Sequence, residues 1–437
     1  MERQTRKTAS LLSVLFMGLG QLYHRQWLKG FLLVLTGVAG WYFFIASLAE
    51  ALRGLITLGD TPTGLQKVGK LTKMVQGDHS VFLMIEGLIS IVIFGLFLFF
   101  YVLNVKDAYK TGVLREAGKP VPNFKQTLKN IHEKHFPLII LFLPIVFTVF
   151  LTVLPLVFSI LLAFTNYADP VLPPASLLDW VGFKTFFDLV QLKTWSRTFG
   201  GILTWTLVWA VLATITTYFG GVLVALLIEQ PRIRFKKFWR TALIIPFAIP
   251  NLVSLLVIRN LFNGQFGPIN QYLKWLGFGG LPWLTDPFWA KVTVILANMW
   301  LGIPVSMILV SGVLTTIPRD LYEAAEVDGA SPFQRFRTIT MPFVLFATAP
   351  ILIMQFAGNI NNFNVIFLLT NGDPVNPAYQ YAGSTDLLVT WLYKLTLNYQ
   401  QYNFASALGI VIFLLLASFS IYNFRRSRSF REEDMIQ

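Results

Sequence analysis

Eight stretches of this chain run for about 20 residues or more with almost no charge, at roughly 28–49, 81–104, 136–165, 202–228, 241–262, 288–313, 342–369 and 404–424. No other feature constrains the fold as strongly. Such a run is long enough to cross the hydrocarbon of a bilayer, where no water pairs with backbone N–H and C=O groups. Each segment must therefore satisfy those groups internally, as a helix. The runs are too long and too uniformly apolar for barrel strands. The expected fold class is all-α and integral to a membrane, with about eight transmembrane helices. Composition agrees: 13% of residues are charged, against about 25% in soluble domains, and the mean hydropathy is +0.61.

The net charge of +13 would suggest nucleic acid in a soluble protein. Here it reads as basic loops on the cytoplasmic face, and no nucleic-acid partner is expected. With the N-terminus inside, most Lys and Arg fall in 1–29, 105–135, 229–240, 314–341 and 425–437. The flipped arrangement would carry clusters such as Arg232-Ile-Arg-Phe-Lys-Lys237 across the membrane. Both termini are thus expected inside. Residues 8–23 follow Arg3, Arg6 and Lys7 like a signal peptide but lack a small-x-small cleavage site. At about 14 apolar residues they are too short to span and read as an interfacial or re-entrant helix. The chain has no cysteine, which removes disulfides, thiolate metal sites and cysteine catalysis. His132 and His135 are close, but a metal is not expected there.

Composition divides the chain near residue 200. Residues 1–200 hold three spans and the basic loop 105–135; 201–425 hold five spans and every motif below; 426–437 form a polar, cytoplasmic tail. The segment 166–200, with Pro170, Pro173 and Pro174, reads as an outside loop of about 35 residues. Pro144 and Pro155 in the third span, and Pro246 and Pro250 in the fifth, mark breaks of the kind that line pathways.

Between the sixth and seventh spans lies a polar island, Leu321-Tyr-Glu-Ala-Ala-Glu-Val-Asp-Gly329, followed by Ile339 and Pro342. Pro318 suits the first turn of a helix, and Gly329 suits a left-handed helix end. Ser331-Pro332-Phe333-Gln334 reads as a capping box opening a second helix. The small Ala324 and Ala325 permit close approach by a partner. Asp320, Glu323, Glu326 and Asp328 make an acidic knob fit for a basic cleft. An ordinary capped surface helix is the competing reading.

The full spacing, Glu-Ala-Ala then Gly, Ile and Pro, resembles the signature of importer-type ABC transporter permeases; only Met341 departs, standing where Leu is usual. The resemblance covers roughly 200–425, the type-1 permease core, with its signature loop at 319–342. It implies that Glu323, Ala324, Ala325, Asp328, Gly329 and Pro342 form the docking piece for a cytoplasmic ATPase. It further implies a second permease with its own such loop, two ATP-binding subunits, and an extracellular sugar-binding protein or lipoprotein.

No ATP site of the chain's own is expected. Gly64-Leu-Gln-Lys-Val-Gly69-Lys70-Leu71 approaches a P-loop but ends in Leu71, without the hydroxyl that holds Mg²⁺. The chain is thus read as a non-enzyme that binds no cofactor, with ATP and Mg²⁺ held by the partner subunits. A proton-coupled carrier would want acids within spans. Glu86 alone qualifies clearly and reads as structural or interfacial; Arg259 reads as snorkelling to the interface. A membrane enzyme would need acids clustered at one face, and only the island offers them.

Polar groups inside spans are mostly amides: Asn251, Asn298, Gln355, Asn359, Asn361, Asn362 and Asn364. Gln355, Asn359 and Asn362 would share one helix face. Either they glue helices together or they line a wet cavity. Cationic groups, which anionic substrates favour, are missing near midspan. A neutral sugar or polyol fits best. Ile245-Pro-Phe-Ala-Ile-Pro250, Asn298-Met-Trp-Leu-Gly302, Asn361-Asn-Phe-Asn364 and Ala382-Gly-Ser-Thr-Asp386 are similar to the larger permease of maltose/maltodextrin importers. The short outside loop is similar to the Gram-positive form, as is Met17-Gly-Leu-Gly-Gln-Leu-Tyr23. Carried over by position, Phe247, Asn251, Asn298, Leu301, Gly302, Gln355 and Asn359 would hold the sugar. Phe247, Asn251 and Gln355 replace a familiar Tyr, Ser and Ser, which leaves fine specificity open. The expected protein is a permease subunit moving maltodextrins by alternating access in a bacterial cell membrane. Another neutral oligosaccharide, or a gradient-driven carrier, is the alternative.

Overall fold

A computed structural model describes residues 5–68, 71–134, 136–230 and 232–426. Seven helices among them are long and apolar enough to cross a membrane, and a bent helix pair brings the number to eight. That pair, Lys236–Ala248 and Asn251–Leu261, turns through 94°. The cause is local. Ile249, preceding a proline, is held extended at ψ 133°, which ends the first helix, and Pro250 precedes the first residue of the second. The breaks expected at Pro144 and Pro246 are not found: both stay inside their helices, and Ile139–Leu162 is one continuous span. Two further irregularities, π-turns at Val149–Val153 and Phe336–Thr340, lie just before Pro155 and Pro342. The ring nitrogen there has no proton to give to the preceding turn.

Residues 1–182 and 183–437 form two compact units. In the first, 8–23 is not one helix but two, Thr5–Leu15 and Leu19–Tyr23, hinged at Gly18 with φ +91°. They pack on the Ser80–Glu116 helix, with Ala9 and Met17 buried. Gln21 donates to the Asn104 carbonyl at 3.0 Å and to Asp107 at 2.9 Å, and Lys29 pairs with Asp107 at 2.7 Å. His24 is buried beside Arg115; burial, then that guanidinium, hold its pKa below the ordinary imidazole range. The P-loop-like stretch is no phosphate cradle: Gly64–Val68 and Leu71–Val75 pair as an antiparallel two-stranded hairpin. Gly69 and Lys70 lie outside the described residues, as do His135 and 427–437. His132 meets Phe136 edge-on, and no metal-holding group occurs among the described residues.

In the second unit the Lys193–Glu229 helix begins before residue 202, so part of the segment read as loop is helical. Lys184–Gln191 is helical too. Between helices in lipid there is no hydrophobic drive, so association rests on close packing and on satisfied polar groups. The long helix supplies both. Trp205, Trp209 and Ala213 pack with Leu255, Val294, Ala297 and Ile366. Trp209 donates its indole N–H to the Asn359 carbonyl at 3.0 Å, and Tyr218 bonds Thr348 at 2.7 Å. Asp286 caps Pro287–Leu314 by accepting from Phe288 and Trp289.

The expected single span 342–369 is corrected. Its helix, Pro332–Ile360, stops, and a short helix Phe363–Leu369 follows. Beyond it, Asp386 is 1% exposed and pairs with Lys394 at 2.7 Å while accepting from Gly383 N–H and Thr390. Burial still pushes its carboxyl above the ordinary range.

Candidate functional site

The bend at Ile249–Pro250 opens one wall of a cavity of about 760 Å³. All seven residues expected to hold substrate line it: Phe247, Asn251, Asn298, Leu301, Gly302, Gln355 and Asn359. They arrive from both halves of the bent pair, from Pro287–Leu314 and from Pro332–Ile360. The described wall contains no Asp, Glu, Lys, Arg or His.

The amides do two jobs at once. Asn359 donates to Thr214 Oγ1 at 3.0 Å and Gln355 to Thr217 Oγ1 at 2.7 Å, which ties the Pro332–Ile360 helix to Lys193–Glu229. Asn362 does not continue the face of Gln355 and Asn359, because the helix ends at Ile360. It caps the next helix by accepting from Val365 N–H at 3.3 Å, and its Nδ2 lies 3.4 Å from Asn298 Oδ1 and 3.5 Å from Asn359 Oδ1. Three amides therefore still converge, by a chain break and not by helical periodicity. Among the described residues, the side chains of Asn251 and Asn364, the Asn298 amide nitrogen and the Gln355 carbonyl oxygen have no protein partner. What remains free in the wall is a neutral set that can both donate and accept.

Sequence reasoning missed Thr217. Its hydroxyl bonds back to Ala213 at 2.6 Å while accepting from Gln355. A Cβ on Gly302 would lie 2.6 Å from Thr217 Cγ2, so this glycine keeps two helix walls in contact beneath the cavity. The available signal was the four-residue spacing of Ala213, Thr217 and Gly221 along one helix face.

The second expected site, the polar island, folds as Arg319–Val327. Gly329 takes φ +75°, the left-handed helix end expected of it. Ser331 and Gln334 form the capping box, with Pro332 next in the chain. No residue of the helix is buried, and Val327 and Phe333 are 89% and 68% exposed. Tyr322 bonds Thr340 at 2.9 Å, fastening the helix to the one that follows. Glu326 pairs with Arg335 at 3.0 Å while its side chain stays 73% exposed, and among the described residues Asp320, Glu323 and Asp328 have no ion-pair partner. Ala324 is exposed and Ala325 half-buried. Pro342 sits apart from the knuckle, in the outgoing helix after the π-turn.

Comparison with known proteins agrees with this architecture. Residues 217–428 match the family described as binding-protein-dependent transport system inner membrane component. The galactooligosaccharides transport system permease protein GanP of Bacillus subtilis is 39% identical over 98% of this chain and 100% of its own. The maltodextrin permease MalC of Streptococcus pneumoniae is 36% identical over 100% and 99%. The maltose/maltodextrin permease MalF of Escherichia coli is 38% identical over 60% of this chain and 52% of its own. In fold, the chain resembles a chain of a bacterial ABC transporter involved in the import of the acidic polysaccharide alginate, with TM-score 0.57 and 24% identity over 69% of this chain and 98% of that one.

Proposed function

We propose, because this chain belongs to the family of binding-protein-dependent transport system inner membrane components, that it is one permease subunit of an ATP-driven importer of maltodextrins in a bacterial plasma membrane. The observation that carries the reading is the uncharged, amide-lined cavity of about 760 Å³. Hydroxyl-rich, neutral chains can exchange hydrogen bonds with such a wall, and Phe247 offers a flat apolar face. An anionic substrate would find no cation there. A galacto-oligosaccharide is the second reading, favoured by 39% identity to a full-length permease named for that substrate. Uptake competition between maltodextrins and galacto-oligosaccharides separates the two.

In this reading both termini and the Arg319–Val327 helix face the cytoplasm. A second permease completes the path, two ATP-binding subunits supply ATP and Mg²⁺ chemistry, and a sugar-binding protein delivers from outside. Closure of the ATPases would push on Glu323, Asp328 and Gly329. The Tyr322–Thr340 and Glu326–Arg335 bonds pass that push into Pro332–Ile360, which carries Gln355 and Asn359. The cavity then opens alternately to each side. Proline fixes φ near −65° and cannot adopt the geometry of Gly329. Gly329→Pro is expected to abolish uptake and sugar-stimulated ATP hydrolysis at normal membrane levels; survival of both sinks the docking role. Because the chain has no cysteine, single cysteines at 319–337 report sidedness cleanly, and labelling from outside would overturn the orientation.

A further inference from the structure

The sugar path leaves unused a second polar place, in the first unit. The helices Trp27–Thr57 and Ser80–Glu116 pack together and enclose a groove of about 470 Å³ lined by Ser47, Glu50, Glu86 and Ser90. Neither carboxylate has a protein partner among the described residues. Ser90 is only 6% exposed as a residue, and its hydroxyl, which faces this groove, has no protein partner among the described residues. Unpaired acids in a spanning helix are costly, and the Ser90 hydroxyl beside them is open to the groove and free to accept a hydrogen bond. The helix wall is also irregular here: a π-turn at Phe44–Leu48 carries Ser47. Unlike the other π-turns, it has no proline after it, so the irregularity is not forced by a missing N–H. Such turns insert one residue into the helix and rotate the next turn's side chains to a new direction.

The groove does not end at the polar residues. It shares Phe43 and Ile93 with a second cavity of about 340 Å³ lined by Gly40, Phe94 and Phe97. From Glu86 to Phe97 the helix rises about 16 Å, close to half of a hydrocarbon core of about 30 Å. A polar, anionic end thus leads into an apolar trough one leaflet long.

We propose that this groove binds a membrane lipid with an ammonium headgroup. The ammonium would sit between Glu50 and Glu86 with Ser90 accepting a hydrogen bond, and one acyl chain would follow Phe43, Ile93 and Phe97. A bare cation would leave the apolar trough unused, and the described residues offer no group of metal-ligating side chains. The site is independent of the transport reading.

The test uses the full chain in nanodiscs of equimolar phosphatidylethanolamine and phosphatidylglycerol, followed by mild delipidation and native mass spectrometry. Wild type is expected to retain phosphatidylethanolamine over phosphatidylglycerol by about fivefold, the scale of one charge pair near a membrane surface. Glu50→Gln with Glu86→Gln, which keeps side-chain shape, is expected to bring the ratio to about one. Ser90→Leu, which fills the groove wall, is expected to lower phosphatidylethanolamine retention with both acids present. Equal retention of the two lipids by wild type, or a preference that persists in the double variant, overturns the proposal. Neither readout requires sugar or ATP, so failure here leaves the transport reading standing.

Discussion

In the second unit, 44% of the apolar window of Lys193–Glu229 and 39% of that of Pro287–Leu314 is buried within the chain; in the first, Ile139–Leu162 buries 6% and Trp27–Thr57 11%. Both units meet the same solvent problem by different means. The second buries polar groups in the middle of its helices and bonds them across helices: Asn359 to Thr214, Gln355 to Thr217, Tyr218 to Thr348. The first places its bonded polar groups toward helix ends, as with Gln21, Lys29 and Asp107, and among the described residues leaves Glu50 and Glu86 without a partner. A bundle that must open a polar path needs polar groups at depth that hold one another when empty. The spanning helices of the first unit leave most of their apolar windows unburied within the chain, as expected of faces that meet lipid.

The sharpest test compares ion pairs. Asp386→Ala strands Lys394, which is 8% exposed, and is expected to destabilise the second unit by about 3–5 kcal/mol, read as a lowered Tm of the purified protein. No change in Tm would break the contrast between the units. Next, Gly302→Val would drive a side chain into Thr217 and is expected to lower uptake at least about tenfold, or ~1.4 kcal/mol. Thr217→Ala clears the contacting methyl, so adding it to Gly302→Val is expected to restore part of the loss, as coupled neighbours do. Additive losses would show that the helix contact is not the constraint.

Smaller effects are expected in the first unit. His24 has a lowered folded pKa, caused by burial and then by Arg115, partly offset by Asp107. An unfolded histidine takes up its proton near pH 6.5. The stability it contributes is thus complete above about that pH and lost as pH falls toward the folded pKa. Amide protection over residues 13–26 should weaken on acidification, and His24→Asn should flatten that dependence. The smallest effect is expected at the exposed Arg53–Asp60 pair, whose side chains are 73% and 61% exposed. Asp60→Ala should cost under about 1 kcal/mol, and a larger loss would mean that polar groups of this unit bear more load than their exposure implies.

Several features were readable in the residue order. Pro250 announced the broken span because the residue before a proline is driven out of the helical region; Pro246 did not, since its helix runs through it. Gly329 and Ser331-Pro332-Phe333-Gln334 announced the knuckle because local chemistry alone decides a cap. The seven cavity residues were reached through uncharged amides within apolar runs, together with family resemblance. The break at Asn361–Asn362 was not readable: apolar residues run on both sides and neither breaker residue stands there. It is stabilised by Asn362 capping Val365 and reaching Asn298 on another helix. The pairing of Glu326 was equally hidden, since its partner Arg335 lies across the Gly329 turn.

The sequence by itself determined that this chain lives in a bilayer as helices, that one of them breaks before Pro250, and that neutral amides lie within its apolar runs. Those properties follow from backbone satisfaction in hydrocarbon and from side-chain chemistry, which act residue by residue. Only the tertiary structure decided which amides hold helices together and which stay free for a ligand. It likewise decided that Thr217 rests against Gly302 and that two acids thirty-odd positions apart share one groove. Hydrogen bonds and close contacts between distant segments depend on how the helices pack, and no local pattern encodes that packing.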